Sequence, residues 1–411
     1  MARPGVNVAI MNGQLGIQGP SENGVTVLVL ATPAAPTAGY GVAFTCLTKQ
    51  DVTAAFADVL NAAVVTALND GFFGEAPEGT ALHIVAMAQA TSLDTLAALA
   101  NVEKGLIKAA GKARLVGVVK FPAGGYTPTV TEGFDTDVHA AVPILQTIAN
   151  TYMGNKKPFR FFVQGYACTG VAAAAKDYAV GTNRNGHIVV GELNASTANA
   201  TLTVMGRAAK AEPQQNIGKV KSGSLNIPTT WALTIGATAI ASVTAATLNT
   251  FHDKRYITLE QNEIASGFIV TNDNSLVAVT DDYNNLRHGR IIDNAVRVAY
   301  STYYAELKDD VFVDENGRLS KVAEKALETA IESAIDKQMP NQLNKTNKGF
   351  SDVKVAINPD YSANIALYNQ NGIMAAPSFN LLQTGTTYIF LKLKPKGCLQ
   401  YINVYVGFTA S

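Results

Sequence analysis

Between residues 25 and 193 the chain repeats one unit: a short, unbroken apolar run followed by a segment with helical spacing. Val25 to Leu30, Leu82 to Ala88, Leu115 to Phe121, Phe159 to Tyr166 and residues 187–193 are the runs. A strand with one wet face alternates polar and apolar residues; these do not, so both of their faces are expected to be covered. Segments 51–69, 92–110 and 135–152 lie between them. The first carries Val52, Ala55, Phe56, Val59 and Leu60 on one helical face, with Asp51 read as the N-cap. The second carries Leu93, Leu96, Leu99 and Val102, and the third Val138, Val142, Leu145 and Ile148. Parallel strands need crossovers of a dozen residues or more, and helices of this length supply them. The expectation is a mostly parallel α/β sheet with helices on both faces.

The pattern changes after Glu212. Residues 219–246 are rich in Thr, Ser and Ala and fit no single element; 256–260 and 267–271 read as short strands. Residues 290–307 read as a helix, Asp314 to Gly317 as a turn, and Ser320 as the cap of a helix to Gln338 that Pro340 stops. Strands follow at 353–358, 388–393 and 399–408. The fold class is therefore α/β plus α+β: an N-terminal α/β sheet unit, a C-terminal α+β unit, and extended strand arms at both termini. The expected division is 1–24 (arm and linker), 25–211 (α/β), 212–395 (α+β core, joined by part of the N-terminal segment) and 396–411 (arm).

The arms follow from alternation at the two ends. Pro4 and Gly5 make a stiff turn, after which Val6, Val8 and Ile10 share one face. Near the other end Tyr401, Ile402, Val404, Val406 and Phe408 belong to a second apolar strand. Terminal strands fray unless tied down, and an apolar one exposes unpaired backbone groups that can join a neighbour's sheet. The competing reading is that each strand closes the chain's own sheet. Residues 12–24, rich in Gly, Gln and Asn, read as a flexible linker.

Catalytic patterns are scarce. Lys plus Arg and Asp plus Glu both total 32, so no net positive charge marks a nucleic-acid binder. Cys46, Cys168 and Cys398 form no C-x-x-C pair; they read as reduced, mostly buried thiols of a cytoplasmic protein. There is no phosphate-binding G-x-x-x-x-G-K-[ST] loop, and the glycines at 13, 16 and 19 are not framed by a strand and a helix. His83, His139, His187, His252 and His288 have no metal-ligand spacing. Arg287, His288 and Arg290 sit before or in the opening turn of a helix; they fit either an anion site or, as the favoured reading, inter-subunit salt bridges. Asp281 with Asp282, and Asp309 with Asp310, are paired carboxylates with no pocket in prospect. Asp310, Asp314 and Asn316 depart from calcium-loop spacing and read as a turn. No cofactor or metal is expected, nor a signal peptide or membrane insertion. On the helix from residue 321, Val322, Ala323, Ala326, Leu327, Ala330, Ile331, Ala334 and Ile335 form an apolar stripe. Glu324, Glu328, Glu332 and Asp336 recur on the other face, either simply solvated or pointing at a partner assembly.

Taken in order, these features resemble the sheath proteins of contractile phage tails and related injection systems. The resemblance rests on Pro4, Gly5, Val6 and Val8 at the start, an α/β unit, a long helix after the acidic turn at Asp309 and Asp310, and closing strands that end near Phe408. It covers the whole chain in order with few identities, and residues 219–246 match nothing in it. It implies a non-enzymatic structural subunit of a virion tail or a cytoplasmically assembled injection apparatus. It implies helical self-assembly, with six-fold discs, around an inner tube protein, and partners in baseplate and terminator proteins. The terminal arms would weave neighbouring subunits together, and Glu324, Glu328, Glu332 and Asp336 would face the tube. The rivals are an α/β enzyme or small-molecule binder using the strands' C-terminal ends, and a phage or secretion component that forms discs or caps.

Overall fold

A computed structural model of the chain describes residues 22–191, 199–398 and 400. The arm residues Pro4, Gly5, Val6, Val8 and Ile10, and Tyr401, Ile402, Val404, Val406 and Phe408, lie outside the described residues.

The sheet has six strands: β1 (Thr26–Thr32), β2 (Ala43–Cys46), β3 (Leu82–Ala88), β4 (Leu115–Lys120), β5 (Arg160–Gln164) and β6 (Gly186–Val189). Their order is β2-β3-β1-β4-β5-β6, and every neighbour pair is parallel except β2 with β3. Strand β1 lies at the centre, with Thr26 beside both Leu82 and Leu115, and it is buried along its whole length. That double burial explains its unbroken apolar sequence. Strand β2 was not legible because it is a partly exposed edge strand with no long apolar run.

Two glycines show how helices cover both faces. A Cβ on Gly105, in α2 (Leu99–Lys108), would lie 2.3 Å from Val27 Cγ1. A Cβ on Gly117 of β4 would lie 2.3 Å from Met205 in α4 (Asn199–Lys210) and 3.1 Å from Leu28 Cδ1. Val27 and Leu28 are consecutive, so they point to opposite faces. Helices α2 and α4 therefore sandwich the sheet, each seated closely through a glycine. Between them in sequence, α3 (Thr136–Gly154) packs beside β5 and is capped by Asp135, whose Oδ1 accepts from the Asp137 amide.

Two expected helices are broken. Helix α1 spans only Lys49–Ala55; Thr48 is its cap and Asp51 closes the capping box from the third position. Asp58 then caps a separate short turn through the Leu60 amide, which swings Val59 and Leu60 outward; Val59 is 83% exposed. Leu68, Phe72 and Phe73 take the inward places. Similarly, Ala98 leaves the helical backbone between the short helix Leu93–Leu96 and α2. The restart changes phase, so Leu99 is exposed and Val102 and Leu106 face inward.

The change of pattern after Glu212 is not a change of core. Ile217, Leu225, Leu233, Ile235, Ile240, Tyr256 and Leu276 all pack into the first hydrophobic cluster, which extends to Leu286. A second cluster begins at Ile291 in α5 (Leu286–Tyr304). There Ile291, Ala295 and Val298 meet Ile331, Ile335 and Met339 on and just beyond α6 (Lys321–Gln338). Ser320 caps α6 through the Ala323 amide, as the sequence indicates. Antiparallel strands β7 (Val353–Ile357) and β8 (Ile389–Leu393) close this core, with Val355 opposite Leu391.

Candidate assembly elements and the joint between the cores

Helix α5 ties the two cores together. Arg160 of β5 donates from Nε and Nη2 to the Asp293 carboxylate of α5 at 2.8 and 2.9 Å, and from Nη1 to the Arg184 carbonyl at 2.8 Å. Both side chains are buried. One turn earlier, Gly289 leaves room for the guanidinium: a Cβ there would lie 2.3 Å from Arg160 Cζ. One turn later, Arg297 donates to the carbonyls of Gly111, Ala113 and Pro158, which precede β4 and β5. The helix is thus pinned along the entry edge of the sheet by charge-assisted bonds to buried acceptors.

Helix α6 presents two surfaces. Ile331, Ile335 and Met339 are buried against α5. Glu324, Glu328, Glu332 and Asp336 are half-buried beside that seam rather than standing on a fully solvated face. Lys321 pairs with Glu324 and Lys325 with Glu328, while Asp336 accepts from the Ser351 amide at 2.8 Å and meets Lys345. Burial, with Glu306, Glu328 and Glu332 nearby, pushes the Tyr303 hydroxyl up to about 12, which places the acids next to α5. The outward side of α6 is an open, largely apolar depression that includes Val322, Ala326 and Ala330. Val322 and Ala326 of the apolar stripe are therefore exposed, Val322 to 79%. The sequence showed the helix and its charges but not which part of the stripe α5 would cover.

Residues suggestive of chemistry are absorbed by local structure. At the C-terminal end of β4, where an α/β fold would place a ligand, Lys120 Nζ lies 3.0 Å from both Asp135 and the Tyr126 hydroxyl and over the Tyr126 and Tyr166 rings. Burial disfavours the ammonium, but its bonds to Tyr126 and Asp135 outweigh that, so it stays protonated. The buried His187 donates from Nδ1 to the Asn274 carbonyl and stacks on Phe162. His139 bonds Tyr178, His83 bonds Thr45, and His252 contacts Asn274. Among the described residues no cluster of His, Cys, Asp or Glu could hold a metal ion. Asp314 accepts from the Asn316 and Arg318 amides, so its segment is a turn. Arg287 and Arg290 are buried within the chain rather than standing on an open surface. Cys46 is buried but Cys398 is exposed, against the expectation of mostly buried thiols. No described helix is long and apolar enough to cross a membrane.

Residues 3–274 match the family model of the DUF2586 N-terminal domain. No curated protein sequence matches the chain. Over their whole lengths, solved structures of contractile injection systems share its fold. A chain of the anti-feeding prophage baseplate, six-fold symmetrised, aligns with TM-score 0.62 at 15% identity, covering 100% of this chain and 99% of that one. A chain of the helical sheath of the same system in its contracted state aligns with TM-score 0.57 at 15% identity, covering 100% of both. A chain of the contracted PVC sheath complex, from an extracellular contractile injection system, aligns with TM-score 0.57 at 12% identity, covering 100% and 98%.

Proposed function

We propose a mechanical role for this chain, which belongs to the DUF2586 family: it is a non-enzymatic subunit of a contractile sheath that polymerises helically around an inner tube. The observation that carries this reading is the end-to-end alignment with a contracted helical sheath, with no part of either chain left over. The closed Lys120 cluster at the strand ends argues in the same direction, because the place where a small-molecule site would form is filled by side chains that satisfy one another.

In this reading the terminal segments are the links. Pro4, Gly5, Val6, Val8 and Ile10 form one arm, and Tyr401, Ile402, Val404, Val406 and Phe408 the other. Each adds a strand to a neighbouring copy. Two added strands supply roughly ten backbone hydrogen bonds at about 0.5–1.5 kcal/mol each, enough to hold a joint through a rearrangement. Their apolar faces add about 25 cal/mol per Å² buried. The described part of each subunit moves as one body, because Arg160, Asp293 and Arg297 lock α5 to the sheet. Glu324, Glu328, Glu332 and Asp336 face the tube, and baseplate and terminator proteins bound the polymer in a virion tail or injection apparatus.

Negative-stain electron microscopy of the purified chain over a concentration series tests the proposal. Hollow ribbed cylinders are expected. Deleting residues 1–11, or ending the chain at residue 398, should leave folded protein that forms none. Long tubes from either truncated chain would refute the arm assignment. Uniform small particles, with and without tube protein, would refute the sheath assignment, and single rings would favour a disc-forming component.

A further inference from the structure

We propose that Arg114 and Arg297, with the neighbouring Arg290, form a binding site for a small oxyanion, a carboxylate or a phosphate, in the cavity between the sheet's entry edge and helix α5. The cavity has a volume of about 380 Å³, and Glu22, Asn23, Arg114, Asn294, Arg297 and Gln338 are among the residues lining it. Arg114 immediately precedes β4, and Arg290 and Arg297 lie two turns apart on α5. Arg290 is 4% exposed and donates from Nη2 to the carbonyl of the cavity-lining Asn23.

Arg114, Arg290 and Arg297 share unused donors; Arg287, the other buried arginine of α5 with unused donors, lies beside the Asp273 carboxylate. Arg114 Nε and Nη1, Arg290 Nη1 and Arg297 Nε are buried with no hydrogen-bond partner. Buried guanidinium groups are normally paired, because removing a charge from water without compensation is expensive. Here the nearby acids are committed elsewhere: Asp293 to Arg160, and Glu22 to Lys112 at 3.0 Å. Among the described residues no carboxylate forms an ion pair with Arg114, Arg290 or Arg297. The terminal segments 1–21 and 401–411 contain no Asp or Glu side chain. Burial lowers the proton affinity of all three groups; Arg114 lowers that of the other two further, and the Asp293 carboxylate, already bonded to Arg160, offsets this only in part. A more open depression shares Lys112 and Arg297 and adds Lys156 and Lys157, giving the site an electropositive approach. The planar fork of arginine matches the paired oxygens of a carboxylate or phosphate.

Thermal melts of the full chain in potassium chloride and in inorganic phosphate, at matched pH and ionic strength, test the site. The wild type should gain a saturable rise in melting temperature with phosphate. Arg114→Met should melt higher than wild type in chloride, since it removes an uncompensated buried cation, and should lose the phosphate response. Arg290→Gln should blunt that response and serves if the first variant does not fold. No rise in wild type, or an equal rise in wild type and variants, overturns the site; so does a lower melt of Arg114→Met in chloride with its phosphate response intact. The source of the anion is read from assembled protein. Phosphate that releases subunits from polymers identifies the resident as a carboxylate of a neighbouring copy; phosphate that leaves polymers intact identifies it as a free anion. The melts do not require polymers, so failure of the sheath reading and failure of this site remain distinguishable.

Discussion

Replacing Gly289 by Ala reverses the usual sign of a helix substitution. In an exposed helix interior, Gly→Ala gains about 1 kcal/mol of helix propensity. At position 289 the added methyl would lie 2.3 Å from Arg160 Cζ, 2.5 Å from Nη1 and 2.6 Å from Nε. The guanidinium has no free path away. It is fully buried and fixed by two bonds to Asp293 and one to the Arg184 carbonyl. Breaking a buried pair by removing one partner costs about 3–5 kcal/mol, because the other charge is left without compensation. Asp293→Ala should fall in that range, and Gly289→Ala should cost about 1–4 kcal/mol net once propensity is subtracted. Because both changes break the same pair, their combined cost should be well below the sum. Replacing both partners by apolar residues, Arg160→Met with Asp293→Leu, should cost less than Asp293→Ala alone. Urea unfolding, followed by circular dichroism and read as the shift in midpoint, measures all four. A Gly289→Ala chain that is more stable than wild type would refute the reasoning, as would an Asp293→Ala cost below about 1 kcal/mol.

Ile335→Ala should destabilise the second core by about 2–5 kcal/mol in the same unfolding assay, whereas Val322→Ala, on the exposed side of the same helix, should stay within about 0.5 kcal/mol. Burial lowers the His187 pKa to about 3, so the unfolded chain binds a proton there that the folded chain refuses. Stability is therefore fully present above the unfolded value near 6.5 and falls by about 1.4 kcal/mol per unit of pH below it, levelling off near the folded value. His187→Asn should flatten that slope between pH 6 and 4; an unchanged slope would place the titration elsewhere. Charge reversal at Glu328 and Glu332 should lower the melting temperature, since both are half-buried and Glu328 pairs with Lys325, yet leave folded protein that no longer co-sediments with tube protein; unchanged co-sedimentation removes these residues from the tube-facing role.

The parts of the fold that were legible in sequence are those whose surroundings are uniform. Strands β1, β3 and β4 are buried over most of their length, so nearly every residue had to be apolar and no partner needed to be known; β5, equally buried, keeps that pattern only at Phe161, Phe162 and Val163. Helix α4 was missed for the opposite reason. Thr201, Thr203 and Arg207 are buried within it, the arginine paired with Glu75, so no clean apolar stripe reaches the sequence. The breaks at Asp58 and Ala98 were hidden because the segments on either side each have helical spacing; only packing against the sheet decides their phase. The joint shows the limit most clearly. Arg160 and Asp293 are 133 positions apart, and neither stands in a local pattern that sets it off from a surface charge. The proposed arms, outside the described residues, are the reverse case: alternation at Val6, Val8 and Ile10, or at Ile402, Val404 and Val406, reads as a strand from sequence alone, and under the proposed function its partner belongs to another copy. Under the proposed function, joining to neighbours would be written in short terminal patterns, whereas the joint between the cores depends on long-range pairs that only the folded chain brings together.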